Sequence, residues 1–157
     1  MTFRKGRTLT FAAMKKTNAL YPDFQLRQNN ENFSVHKHLK MNLLMVVFHP
    51  FKTIDVEDAK HIEQIVLENA DEKKDILGIT LPSKGANVDS TARTYFANCE
   101  LSIKYTKAMA VIIKSMPHRM LLNFYMQFNR PPAKHKAFEE VNKAMDWLKK
   151  VNESKEA

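Results

Sequence analysis

Three short runs, 43-LLMVVF-48, 76-ILGITL-81 and 108-AMAVII-113, are apolar at nearly every position. A strand with one wet face alternates apolar and polar residues. These runs do not alternate, so each strand must be covered on both faces. None approaches the ~18 to 20 residues needed to span a bilayer. Whatever else the chain does, it must lay helices over a buried sheet.

Helical stretches do separate the runs. In 55-DVEDAKHIEQIVLENA-70, Val56, Ala59, Ile62, Val66 and Ala70 recur at helical spacing with Ile65 alongside; Asp55 and Asp58 form a capping-box pattern. In 89-DSTARTYFANCEL-101, Asp89 caps, and Ala92, Phe96 and Cys99 form an inward stripe. The last helix, 139-EEVNKAMDWLKKV-151, follows a short strand, 136-KAF-138, and packs Trp147 beneath it. Upstream, 24-FQLRQ-28 and 33-FSVHKHL-39 flank the turn 29-NNEN-32 and read as a hairpin with polar outer faces. The order is hairpin, then βα units, which predicts an α/β fold with a mixed β-sheet and right-handed crossovers.

The stretch 117-PHRMLLNFYMQFNRPP-132 is the anomaly. Ser115 and Pro117 start a helix and Pro131-Pro132 end it. At ~100° per residue, Arg119, Asn123, Gln127 and Arg130 share one narrow stripe. Nearly every other direction is apolar, far more than the ~100° face a helix on a sheet requires. Either flanking helices bury it, or part of it forms a dimer face, a partner-docking surface or the wall of an apolar pocket. Leu121, Phe124, Tyr125 and Phe128 are the residues for those last roles, because aromatic side chains are enriched at interfaces.

The C-terminal half carries a resemblance. A buried strand reading into Ser115 to Arg119, the Asn123-Phe124 pair in an aromatic helix, the stop Asn129-Arg130-Pro131, and Ala144 to Leu148 around Trp147 are similar to small bacterial STAS-like proteins. Those share the fold of the anti-sigma-factor antagonists. The resemblance spans residues 20–151 and implies about four helices packed mainly on one face of the sheet. STAS regulators carry a phosphorylatable serine within an Asp-Ser-Ser-Gly-like segment at the start of a helix; the nearest match, Asp89-Ser90-Thr91, lacks the glycine. Ser90 is thus the candidate phosphoacceptor, at a helix N-terminus that favours phosphate, against the plainer reading of an ordinary cap.

Other constellations lead nowhere chemical. Three glycines, Gly6, Gly78 and Gly85, cannot spell a dinucleotide fingerprint or a P-loop. His36 and His38 share a strand face without a third ligand, and read as exposed histidines, so no metal and no cofactor is expected. Cys99 has no evident base and reads as a small core residue; one cysteine forbids an internal disulfide. His118 and Arg119, with Arg130 and the cluster around His135, could form an anion-binding rim.

Charge bounds the partners. Eight basic and two acidic residues lie in 1–40, six and ten in 41–100, and eleven and five in 101–157, giving the net +8. The cations are scattered, which argues against specific nucleic-acid binding. Residues 1–19 read as a basic extension, with residues 1–13 accessory if Met14 is the start; 20–151 form one domain, and 152–157 a polar tail. Expected is a cytoplasmic, non-enzymatic STAS-like regulatory module acting through protein contacts, a homodimer by residues 120–128. The alternative is a carrier or sensor of an apolar, lipid-like ligand held under helix 117–130, as in CRAL-TRIO domains by fold analogy.

Overall fold

A computed structural model of the protein describes residues 21–154. The expected extension 1–19 and tail residues 155–157 lie outside the described residues. Six strands form one sheet in the order β1-β2-β3-β5-β7-β8. Strands β1 (Phe24–Asn29), β2 (Phe33–His38) and β3 (Leu43–Phe48) pair antiparallel with one another in turn. From β3 onward, β5 (Ile76–Pro82), β7 (Thr106–Ile112) and β8 (Lys134–Phe138) are parallel. The three runs without alternation are β3, β5 and β7, the middle of the sheet.

Helix placement follows from that order. Parallel strands added always on the same side, with right-handed crossovers, carry their helices to one face. Helices α1 (Val56–Asn69) and α2 (Ser90–Asn98) lie there, packed with Leu44, Val46 and Phe48 of β3, and α3 (Met116–Phe128) lies on the same face. Helix α4 (Val141–Glu153) has no strand after it among the described residues, and takes the opposite face. Its Ala144, Met145 and Leu148 close over Leu43, Met45, Leu77 and Ile79. The mixed α/β sheet with helices mainly on one face is therefore the observed fold.

The caps are as expected. Asp55 accepts from the Asp58 N–H at 2.9 Å while the Asp58 carboxylate accepts from the Asp55 N–H at 3.1 Å. Asp89 accepts from the Ala92 N–H at 2.9 Å. Three elements were not visible in the sequence. Strands β4 (Thr53–Ile54) and β6 (Asn87–Val88) pair in parallel, which aligns the starts of α1 and α2. Helix α2 stops at Asn98, short of the expected Leu101, and a π-helical turn spans Leu101–Tyr105. Glu63 of α1 holds that turn, accepting from the Leu101 N–H at 3.1 Å and from the Tyr95 hydroxyl. Cys99 is buried beside it, as a core residue.

The hairpin departs from expectation. All six residues of β2 are buried, because β1 is the sheet edge and β2 lies one strand in. His36 and His38 are thus interior groups and not exposed ones. The His38 Nδ1 accepts from the N–H groups of Lys40 and Met41 at 3.1 and 3.0 Å, tying the β2–β3 turn, and Phe24 packs edge-on against its ring. Buried Lys37 donates to the Met41 carbonyl at 2.8 Å and pairs with Asp71 at 3.1 Å. Among the described residues no group of three His, Cys, Asp or Glu side chains could hold a metal ion.

His36 makes stability depend on pH. Burial, and then the neighbouring His49, lower its pKa from 6.5 to about 4. The native ring stays neutral while the unfolded chain takes up a proton near 6.5. Its contribution is whole above that value and disappears as pH falls toward 4, at most about 3 kcal/mol for this shift. Burial also lowers His38 and His135, in the same direction. Thermal denaturation between pH 7 and 4.5 should show a falling Tm, and His36→Gln should flatten that slope; an unchanged slope would show that His36 is already protonated in the native state.

Candidate functional site

Helix α3 is held loosely. Ser115 caps it, its Oγ accepting from the His118 N–H at 3.3 Å, and Pro117 occupies the first turn. Of its thirteen residues only His118 is buried. The His118 Nε2 lies 2.8 Å from the Ala86 carbonyl oxygen, so the ring nitrogen donates to it. That one ring pins the helix start to the loop before β6.

The rest of the apolar circumference divides into two sides. Leu121, Leu122 and Tyr125, at i+3, i+4 and i+7 from His118, are half-buried and face the sheet. Met116, Met120, Phe124 and Phe128 remain 67%, 63%, 47% and 62% exposed, an apolar stripe facing solvent. Phe124 and Phe128 pack with ring centroids 4.5 Å apart and planes tilted by 45°. The four residues singled out from the sequence thus divide evenly: Leu121 and Tyr125 turn inward, Phe124 and Phe128 outward.

Beneath the inward side is a cavity of about 160 Å³. Its floor is the sheet face carrying Val46, Gly78, Thr80, Met109 and Val111. The space exists because this floor is low. Gly78 has no side chain, and the Met109 side chain lies across it: a Cβ at Gly78 would meet the Met109 Cε at 2.6 Å. The Thr80 hydroxyl donates to the Met109 sulfur at 3.3 Å, holding the thioether there. Leu121, Leu122 and Tyr125 form the roof, and Phe96 and Leu101 a side wall.

Polar groups in the lining are few. Arg93 of α2 donates from Nη1 to the Val88 carbonyl at 2.6 Å and lies over the Phe124 ring at 5.2 Å. Its Nε is buried with no hydrogen-bond partner. His135 has Nδ1 2.9 Å from the Ala133 carbonyl oxygen, which places the proton on Nδ1 and a lone pair on Nε2. Burial lowers its pKa, and burial likewise pushes the Tyr125 hydroxyl well above its usual range. The two rings are neighbours, 5.7 Å apart.

The anion rim is not assembled. His118 is buried and committed to Ala86, whereas Arg119 and Arg130 are exposed. At 1.5 Å per residue the eleven steps from Arg119 to Arg130 span ~16 Å, too far for one small anion. Arg130 is turned aside besides, with a left-handed φ of 46° ahead of Pro131. Ser90 is exposed at the first position of α2, and the Ala92 N–H that would greet a phosphate already binds Asp89. Arg93 was not picked out from the sequence, although its place on the wheel, ~40° from Ala97, put it on the inward face.

Residues 38–152 match the family described as domain of unknown function (DUF7793). The chain belongs to that family. No curated protein matches it. Among solved structures it is similar to an uncharacterized protein from the DUF3478 family with a SpoIIAA-like fold, from Shewanella loihica PV-4. That protein is 15% identical over 78% of this chain and 98% of its own, with a TM-score of 0.52. At such identity the likeness shows the fold, and it agrees with the STAS-like resemblance in the sequence. No helix among the described residues is long and apolar enough to cross a membrane.

The floor is open to a simple change. Gly78→Ala should push the flexible end of Met109 into the cavity and leave the strand intact, altering stability by less than about 1 kcal/mol. Thermal denaturation checks this; a loss of several kcal/mol would show that Met109 has nowhere to go and that the space is filled.

Proposed function

We propose that the protein is a non-enzymatic binding module of STAS-like fold that takes up a small apolar ligand beneath α3 and acts as its sensor or carrier. The observation that carries this reading is the cavity itself, an apolar chamber between a glycine-floored sheet and the half-buried face of α3. Its volume resembles the ~150 Å³ of apolar cavities that bind benzene or xenon. Ligand sites combine such apolar walls with a few polar groups that fix orientation, here Arg93, Tyr125 and His135.

The test is direct. Burying about six methylenes at ~0.8 kcal/mol each corresponds to sub-millimolar affinity. Octan-1-ol should bind with heat measurable by calorimetry and raise Tm, and Leu121→Trp, which fills the space from above, should abolish both effects. Native mass spectrometry of freshly purified protein adds a search for a bound molecule. No heat from octan-1-ol on the wild type would remove the reading.

The solvent stripe supports a second role for the same helix, a protein contact. Met116, Met120, Phe124 and Phe128 form an apolar band on one helix flank, of the kind buried in interfaces. A homodimer through this band makes a clear expectation for light scattering: a dimer at high concentration that Phe124→Glu or Phe128→Glu converts to monomer. A wild type that stays monomeric throughout would leave the band to another protein or to none.

A further inference from the structure

Arg93 is the one residue with a permanent charge among those lining the cavity. Its guanidinium lies where α2 meets α3, under the Phe124 ring, with one nitrogen on a backbone carbonyl and another, Nε, buried without a partner. Among the described residues no carboxylate pairs with it. Asp89, the acid that feels its field, is occupied by the Ala92 N–H and the Thr91 hydroxyl. Leaving a buried donor unmade costs about 1 to 3 kcal/mol, more for a charged group. A cation therefore waits, short of one acceptor, at the edge of an otherwise apolar space.

The remaining polar groups do not cancel this charge. The Tyr125 hydroxyl is held protonated by burial and has no hydrogen-bond partner among the described residues, so it is a second free donor. His135 stays neutral. A cationic head group would meet Arg93 with no counter-charge in the lining. A neutral oxygen could accept from the guanidinium Nε, but it would bring no counter-charge and only a single weaker bond. A carboxylate accepts from a guanidinium in two directions at once and satisfies both problems.

We infer that the ligand is a small amphipathic monocarboxylate, its carboxylate paired with Arg93 between α2 and α3 and its apolar body beneath Leu121, Leu122 and Tyr125. This rests on the cavity being a ligand site and adds the chemistry of the head group. It also gives the outer face of α3 a link to the chamber, because Phe124 covers the same guanidinium that the carboxylate would engage.

Octanoate, octan-1-ol and octylammonium, compared by calorimetry at pH 8, separate the claims. Octanoate should bind at least about tenfold tighter than octan-1-ol, and octylammonium weakest. Arg93→Gln should erase the octanoate advantage, bringing octanoate to parity with octan-1-ol. Equal affinities for octanoate and octan-1-ol in the wild type would overturn the head-group assignment and leave the apolar site standing. Failure of all three to bind would overturn both. Should Arg93→Gln weaken octanoate and octan-1-ol alike, Arg93→Lys decides: a retained octanoate preference supports the pairing, and parity overturns it.

Discussion

Strands β3, β5 and β7 are apolar on both faces, and water must be kept from both. Their parallel pairing removes any choice about where the intervening helices go, since each right-handed crossover returns on the same side. One face thus receives α1, α2 and α3 from the connections, and the other depends on α4 after the last strand. The distribution of material is uneven as a result. α1 and α2 are braced against each other by the Tyr95–Glu63 contact and share aligned starts through β4 and β6. α3 arrives last on that face, over the far strands, with His118 as its one buried side chain and an Asn129–Thr94 hydrogen bond tying its end to α2.

The chamber is a product of this arrangement and of two local choices. Gly78 lowers the floor, and Met109 fills that gap without filling the space above it. A β-branched residue at position 78 would have brought the sheet face up to the helix. In its place, the roof residues Leu121, Leu122 and Tyr125 stop at partial burial, while apolar side chains on the far side of the same helix go uncovered. An excess of apolar surface on one helix therefore becomes a hollow on one side and an exposed band on the other.

Much of this was legible in the residues. The absence of alternation in three runs named the central strands, the Asp55–Asp58 and Asp89 patterns named two helix starts, and the crowded wheel of 117–130 marked a helix with more apolar surface than a sheet-packing face needs, leaving open whether neighbours would bury it. Local rules decide these features, and local sequence records them. The sequence was silent where non-local geometry decides. Nothing in 33–39 says which hairpin strand becomes the sheet edge, so His36 and His38 were placed in solvent. The pairing of two-residue strands β4 and β6 has no pattern of its own. The proposed rim of His118, Arg119 and Arg130 counted charges near helix ends without measuring the length between them. Arg93 was readable from its position on the α2 wheel; a cation on an inward face is an exception that composition alone hides.

The shallow burial of α3 has an energetic consequence. Segments with few buried contacts open at a free energy well below that of the whole molecule, as separate cooperative units. Releasing the His118–Ala86 hydrogen bond frees the one buried side chain of this helix, while the cores on both faces of the sheet keep their packing. Opening of this helix therefore need not await global unfolding: α3 can lift from the sheet as one amphipathic rod while the rest of the domain holds.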